Sequence, residues 1–120
     1  MVQTHTFRAP SKTEREILRR LMEVEFPGRD ELKQQLADAV VRPIDDEGSL
    51  EIKAESGPPA AVAKRVPVEA ELPDSDGIAV HYLLHVLDGR AAELDVYKDD
   101  GTSVKRSPNP NDLRVIVLPG

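Results

Sequence analysis

Residues 78–98 constrain the fold more tightly than any other part of the chain. Apolar and polar side chains alternate over residues 78–87 and again over 91–98, with Asp88-Gly89 between them. Alternation at period two marks strands buried on one face, and Asp-Gly is a hairpin turn signal. A two-residue turn would pair Leu87 with Arg90, Leu84 with Glu93 and Tyr82 with Asp95, mixing carboxylates into the apolar row. A three-residue turn, Asp88-Gly89-Arg90, pairs Val86 with Ala92, Leu84 with Leu94 and Tyr82 with Val96, and one face becomes wholly apolar. A one-residue slip moves every side chain to the other face, so burial selects the second register.

The flanking segments extend this sheet. Ser11 and Glu14 have the capping-box spacing, and Ile17, Leu18, Leu21 and Met22 follow as a helical stripe that Phe26-Pro27-Gly28 ends. A second helix is predicted over residues 29–38, with Asp30 and Glu31 in its first turn and Leu32 and Leu36 on its buried edge. Beyond Val40 the period changes to two. Strands are predicted over residues 40–44, 49–54, 63–72, 78–87, 91–98, 102–104 and 113–118, with Pro67 placing its segment at an edge or bulge. The expected fold is one α+β domain over residues 1–120. It has an arm (1–10), a helical hairpin (11–40) and a six- or seven-stranded, mainly antiparallel meander (40–118) covered on one face by both helices. Apolar side chains on both faces of residues 115–118 make that strand either central or covered from outside.

Composition excludes several functions. The chain has no cysteine, which removes thiol nucleophiles and thiolate zinc sites. Lys+Arg 16 against Asp+Glu 22 gives a net charge of −6 and no basic patch, which disfavours nucleic acid and anionic membranes. With no leader-like or spanning apolar run, a soluble, cytoplasmic protein is expected. Asp74-Ser75-Asp76-Gly77 has the look of a calcium loop, but Leu72 and Leu83 stand where acids are required, so these acids read as turn formers. Arg8, Arg15 and Arg19 could gather a carboxylate ligand, but the neighbouring Glu14, Glu16 and Glu23 predict a salt-paired face instead. His5 reads as a solvent-exposed residue of the arm.

The chosen register lays a polar row on the sheet's other face: His85 across from Glu93, Leu83 across from Asp95, and His81 across from Tyr97. Two imidazoles, two carboxylates and a phenol have the chemistry of a small-ligand or hydrolytic site. Four residues of strand, however, hold the histidines about 13 Å apart, too far to share one ion at about 2.0 Å. His85 and Glu93 can meet, yet two ligands make a weak site. No metal, cofactor or catalytic residue is therefore assigned. His81, His85, Glu93, Asp95 and Tyr97 are read as a solvated or partner-facing surface.

The run from Tyr82 to Val104 has a hydrophobic strand ending in Asp88-Gly89, then Glu93-Leu94-Asp95-Val96-Tyr97 and a second Asp100-Gly101. With the helix ending in Phe26-Pro27-Gly28, it resembles small bacterial domains of unassigned function. Some proteins with similar sheet-and-helix signatures are immunity proteins, which block a toxin through an acidic surface. The resemblance carries no active-site residue. It implies a non-catalytic domain that binds a protein partner; a strand-face enzyme and a homodimer are the alternatives.

Overall fold

The computed structural model describes residues 6–117; His5 and the last predicted strand residue, Leu118, lie outside them. Helix α1 (Lys12–Leu21) begins at the predicted capping box. Ser11 Oγ accepts the Glu14 N–H at 3.2 Å, and Glu14 Oε1 accepts the Ser11 N–H at 2.8 Å. Helix α2 (Arg29–Ala37) starts from Gly28 at φ 92°, a conformation that suits glycine. A Cβ at Gly28 would also stand 2.8 Å from a Val62 methyl.

Six strands follow among the described residues: β1 (Val40–Pro43), β2 (Leu50–Lys53), β3 (Val68–Pro73), β4 (Ala79–Leu87), β5 (Arg90–Lys98) and β6 (Arg114–Val117). A short 3₁₀ turn (Pro110–Asp112) precedes β6. All pairings are antiparallel, in the order β1-β2-β5-β4-β3-β6. The meander therefore runs through β3, β4 and β5, while the β1–β2 hairpin adds beside β5 and β6 adds beside β3. Strand β6 is an edge strand, not a central one. The predicted strand over 102–104 is instead irregular, and residues 63–67 are loop leading into β3.

The helices and one sheet face share a single aliphatic core. Leu18, Leu21 and Leu32 from the helices meet Val68 and Ala70 of β3, Leu84 of β4 and Leu94 of β5. Each such leucine or valine contributes roughly 1.5–3 kcal/mol on burial. Arg20 fastens α1 to the far edge, donating to the Pro110 and Leu113 carbonyls at 3.1 and 2.6 Å. At the other edge Arg8 exchanges two backbone hydrogen bonds with Val41, so the arm continues the sheet past β1.

The central hairpin combines both sequence alternatives. Asp88 and Gly89 have φ of 51° and 76°, as a two-residue type I′ turn requires, and Leu87 pairs with Arg90. A bulge follows where the pairing passes from Val86 to His85, and beyond it Leu84 faces Leu94 and Tyr82 faces Val96. The expected three-residue turn is thus replaced by a tight turn and a correcting bulge. Val86 faces Ala91, not Ala92, and the apolar sorting is preserved.

Asp74 and Asp76 are turn formers, as read from the sequence, each accepting a nearby backbone N–H. They also hold the ammonium of buried Lys98, at 3.0 and 2.6 Å. Burial alone would raise the Asp74 carboxyl. The Lys105 N–H and the Lys98 ammonium outweigh that and hold it far below the usual carboxylate range. Lys98 is correspondingly raised.

Candidate functional site

Strand alternation puts Val80, Tyr82, Leu84 and Val86 in the core and turns Ala79, His81, Leu83 and His85 to the opposite face. No helix among the described residues covers that face. The register brings His85 beside Glu93, Leu83 beside Asp95 and His81 beside Tyr97, as read from the sequence. Leu83 is the half-buried centre, with Asp95 on one side and Glu69 of β3 on the other.

The five candidate residues form two groups. His81 stacks on Tyr97 with ring centroids 4.9 Å apart. Its Nε2 is 2.6 Å from Asp99 Oδ1 and its Nδ1 is 3.8 Å from Glu69 Oε2. Burial, followed by the carboxylates of Glu69, Asp99 and Asp95, raises the Tyr97 phenol above its ordinary value.

The second group is His85 with Glu93 and Asp95. A nitrogen of His85 and one oxygen from each carboxylate all lie within 4.8 Å of one another. The third member arises from the diagonal: Asp95 lies two residues past Glu93 on the same face and reaches back to the His85 ring, whose Nε2 is 3.7 Å from Asp95 Oδ2. Such a trio is a possible donor set for a divalent ion. Its tautomer opposes that use. Arg65 Nε donates to His85 Nδ1 at 3.0 Å, so Nδ1 supplies a lone pair and, in the neutral ring, Nε2 carries the proton. A metal at Nε2 would need that nitrogen bare.

Charge on this face is unevenly neutralised. Arg42 pairs with Glu51 at 2.8 Å and Arg114 with Glu71 at 3.2 Å, both toward the edges. Glu69, Glu93, Asp95 and Asp99, around the centre, have no lysine or arginine within 4.0 Å among the described residues. Glu69, Asp99 and Arg65 are the participants that sequence reading missed. Glu69 was legible only through the β3–β4 register, Asp99 looked like a turn residue, and Arg65 lies in a segment read as strand.

Clefts open at the start of α2, between α1 and α2, and around Ile17, Tyr82 and Arg106. None of these is lined by His81, His85, Glu93, Asp95 or Tyr97. No described helix is long and apolar enough to cross a membrane. No curated protein and no solved structure matches the chain. A family model does match residues 7–108, and by it the chain belongs to the family described as Domain of unknown function (DUF6984).

Proposed function

We propose that this domain is a non-catalytic, cytoplasmic, bacterial binding module that receives a basic protein surface on its uncovered sheet face. The observation that carries the reading is the central surplus of Glu69, Glu93, Asp95 and Asp99 around half-buried Leu83 and exposed Tyr97. An apolar centre ringed by acids that no described lysine or arginine pairs complements a cationic partner, speeds encounter, and makes association salt-sensitive. A site for chemistry on a small substrate needs a concavity, and the clefts described above open elsewhere. Inhibition of a basic toxin is one form of this role, the form that the immunity-type resemblance implies.

A homodimer through the same face is disfavoured by symmetry. A two-fold interface sets the same patch against itself and would oppose like charges. The metal-dependent reading rests on the His85, Glu93 and Asp95 trio, and the Arg65 hydrogen bond weighs against it.

The test is affinity capture from the native host on the immobilised domain, beside the double variant Glu93→Lys/Asp95→Lys and the charge-matched control Glu16→Lys/Glu31→Lys on the helical layer. A basic protein retained by the wild type and by the control, released by salt and lost from the double variant, is the expected result. Retention of the same proteins by the double variant would overturn the reading.

A further inference from the structure

Helix α1 and its cap carry Arg15, Leu18, Arg19 and Met22 at intervals of three and four residues, which is one helical face. Helix α2 repeats the arrangement with Lys33, Leu36 and Ala37. Both stripes line one cleft of about 560 Å³, within the range of roughly 300–1,000 Å³ common for small-molecule sites. Leu18 and Met22 are buried and Leu36 is half-buried, which makes an apolar floor. Arg15, Arg19 and Lys33 contribute three cations against the single carboxylate of Asp38.

Of the salt-paired face expected from the sequence, Arg8 finds its glutamate, whereas Arg15 and Arg19 have no carboxylate partner among the described residues. Glu14 is taken by Arg8 at 2.7 Å and Glu23 by Arg20 at 2.8 Å. Among the described residues no carboxylate lies within 4.0 Å of Arg15, Arg19 or Lys33. Arg15 donates to the Pro10 carbonyl at 3.0 Å, which holds its guanidinium at the cleft beside the arm. In a chain of net charge −6, this is a local inversion of sign over an apolar floor. A bare inorganic anion would leave that floor unused, and a neutral alkyl chain would leave the cations unused. Guanidinium forks match the paired oxygens of a carboxylate, as they do those of a phosphate.

We propose that the cleft between α1 and α2 binds a single-chain anionic amphiphile, a medium-chain carboxylate. Its alkyl chain lies on Leu18, Met22 and Leu36, and its headgroup meets Arg15, Arg19 and Lys33. The experiment is calorimetric titration of the full chain with decanoate, below its micelle-forming concentration, and with decanol as the uncharged counterpart. Wild type binds decanoate saturably and decanol more weakly. Arg15→Ala/Arg19→Ala, both at exposed positions, weakens decanoate at least about tenfold and leaves decanol nearly unchanged, because only the charge-assisted contacts are removed. Ala37→Trp, also at an exposed position, fills the cleft and weakens both ligands. Thermal melts verify that each variant is folded. Absence of saturable decanoate binding to wild type, equal decanoate affinity in the double variant, or decanol binding as tightly as decanoate overturns the proposal. So does co-sedimentation with phosphatidylglycerol vesicles that needs Arg15 and Arg19 while free decanoate fails to bind.

Discussion

The fully buried side chain of Gln35 on α2 accepts the backbone N–H of Ala91 at 2.9 Å, beside the bulge in the central hairpin. Its amide nitrogen donates to the Pro58 and Gly89 carbonyls at 2.9 and 2.8 Å. One side chain thus satisfies three backbone groups from a helix-side loop, a tight turn and a strand, and the hairpin that carries the acidic face is clamped to the helical layer. Gln35→Met preserves volume and removes all three bonds. The Ala91 N–H is then left buried and unsatisfied, while the Gly89 carbonyl keeps the Ala60 N–H and Pro58 is exposed, so a loss of about 1–3 kcal/mol is expected in urea unfolding. Unfolding at the wild-type midpoint would mean that the clamp is dispensable.

Gly89 and Gly77 separate backbone strain from crowding. Both have positive φ, 76° and 84°, but a Cβ at Gly77 meets nothing within 4 Å. A Cβ at Gly89 would stand 3.0 Å from Pro59 Cβ and 3.2 Å from the Ala60 backbone, whose N–H donates to the Gly89 carbonyl at 2.8 Å. Gly77→Ala should cost about 1–2 kcal/mol, the left-handed penalty alone. Gly89→Ala should cost clearly more, since Pro59 and Ala60 must also move. Equal destabilisation in denaturant titrations would show that the Pro58-Pro59 loop yields freely.

The same hairpin marks where sequence reading succeeded and where it stopped. The pairing of Leu84 with Leu94 was legible because burial punishes a one-residue slip across a whole strand. The capping box of α1 was legible because Ser11 and Glu14 carry both halves of it locally. The bulge was not, because its support is Gln35, distant in sequence and without a local signal of its role. Pairing of β2 with β5 was likewise set by the shared core and not by adjacency. At the face, facing partners such as His85 and Glu93 were readable, whereas the diagonal approach of Asp95 needed the sheet itself. That Arg15 and Arg19 lack carboxylate partners among the described residues was hidden because helical spacing names candidate partners such as Glu14 and Glu23 without saying that Arg8 and Arg20 claim them first.

Acid should loosen the turn between β3 and β4. Asp74 has a depressed folded-state value, so its contribution is present above its ordinary 3.8 and is lost as pH falls through the folded value. Asp76 is depressed as well, first by its hydrogen bond from Lys98. Asp74→Asn should be less stable than wild type at neutral pH, because Lys98 stays buried with a weaker partner. It should also lose less stability than wild type between pH 4 and pH 2. Parallel acid curves for the two proteins would show that another carboxylate governs the transition.

Alkaline stability is governed by groups shifted the other way. Burial, reinforced by Asp74, pushes the Tyr82 phenol from 10.0 to about 12. Between those values the unfolded chain releases the proton first, so stability is whole below pH 10 and declines toward pH 12. Lys98, also raised, declines over the upper part of the same range. Tyr82→Phe should flatten the descent, read as denaturant midpoints against pH. Absorbance at the phenolate band should show Tyr97 ionising before Tyr82. Ionisation of both tyrosines together in the folded protein would contradict the burial of Tyr82.

Arg65 decides between a docking face and a metal centre. Its Nε–H on His85 Nδ1, at 3.0 Å, leaves the neutral ring protonated at Nε2, the nitrogen nearest Asp95. Nitrogen NMR should report that tautomer in the wild type. In Arg65→Ala the Nδ1 lone pair is released, the ring can exchange tautomers, and a bare Nε2 can join Glu93 and Asp95 around a cation. Zinc should therefore bind Arg65→Ala more tightly than wild type, by about tenfold for each 1.4 kcal/mol of relief. The removed positive charge contributes to that gain, so Arg65→Gln, which also lacks the charge but keeps an amide donor, should fall between the two. Wild type binding zinc as tightly as Arg65→Ala would defeat the tautomer argument and restore the trio as a metal centre.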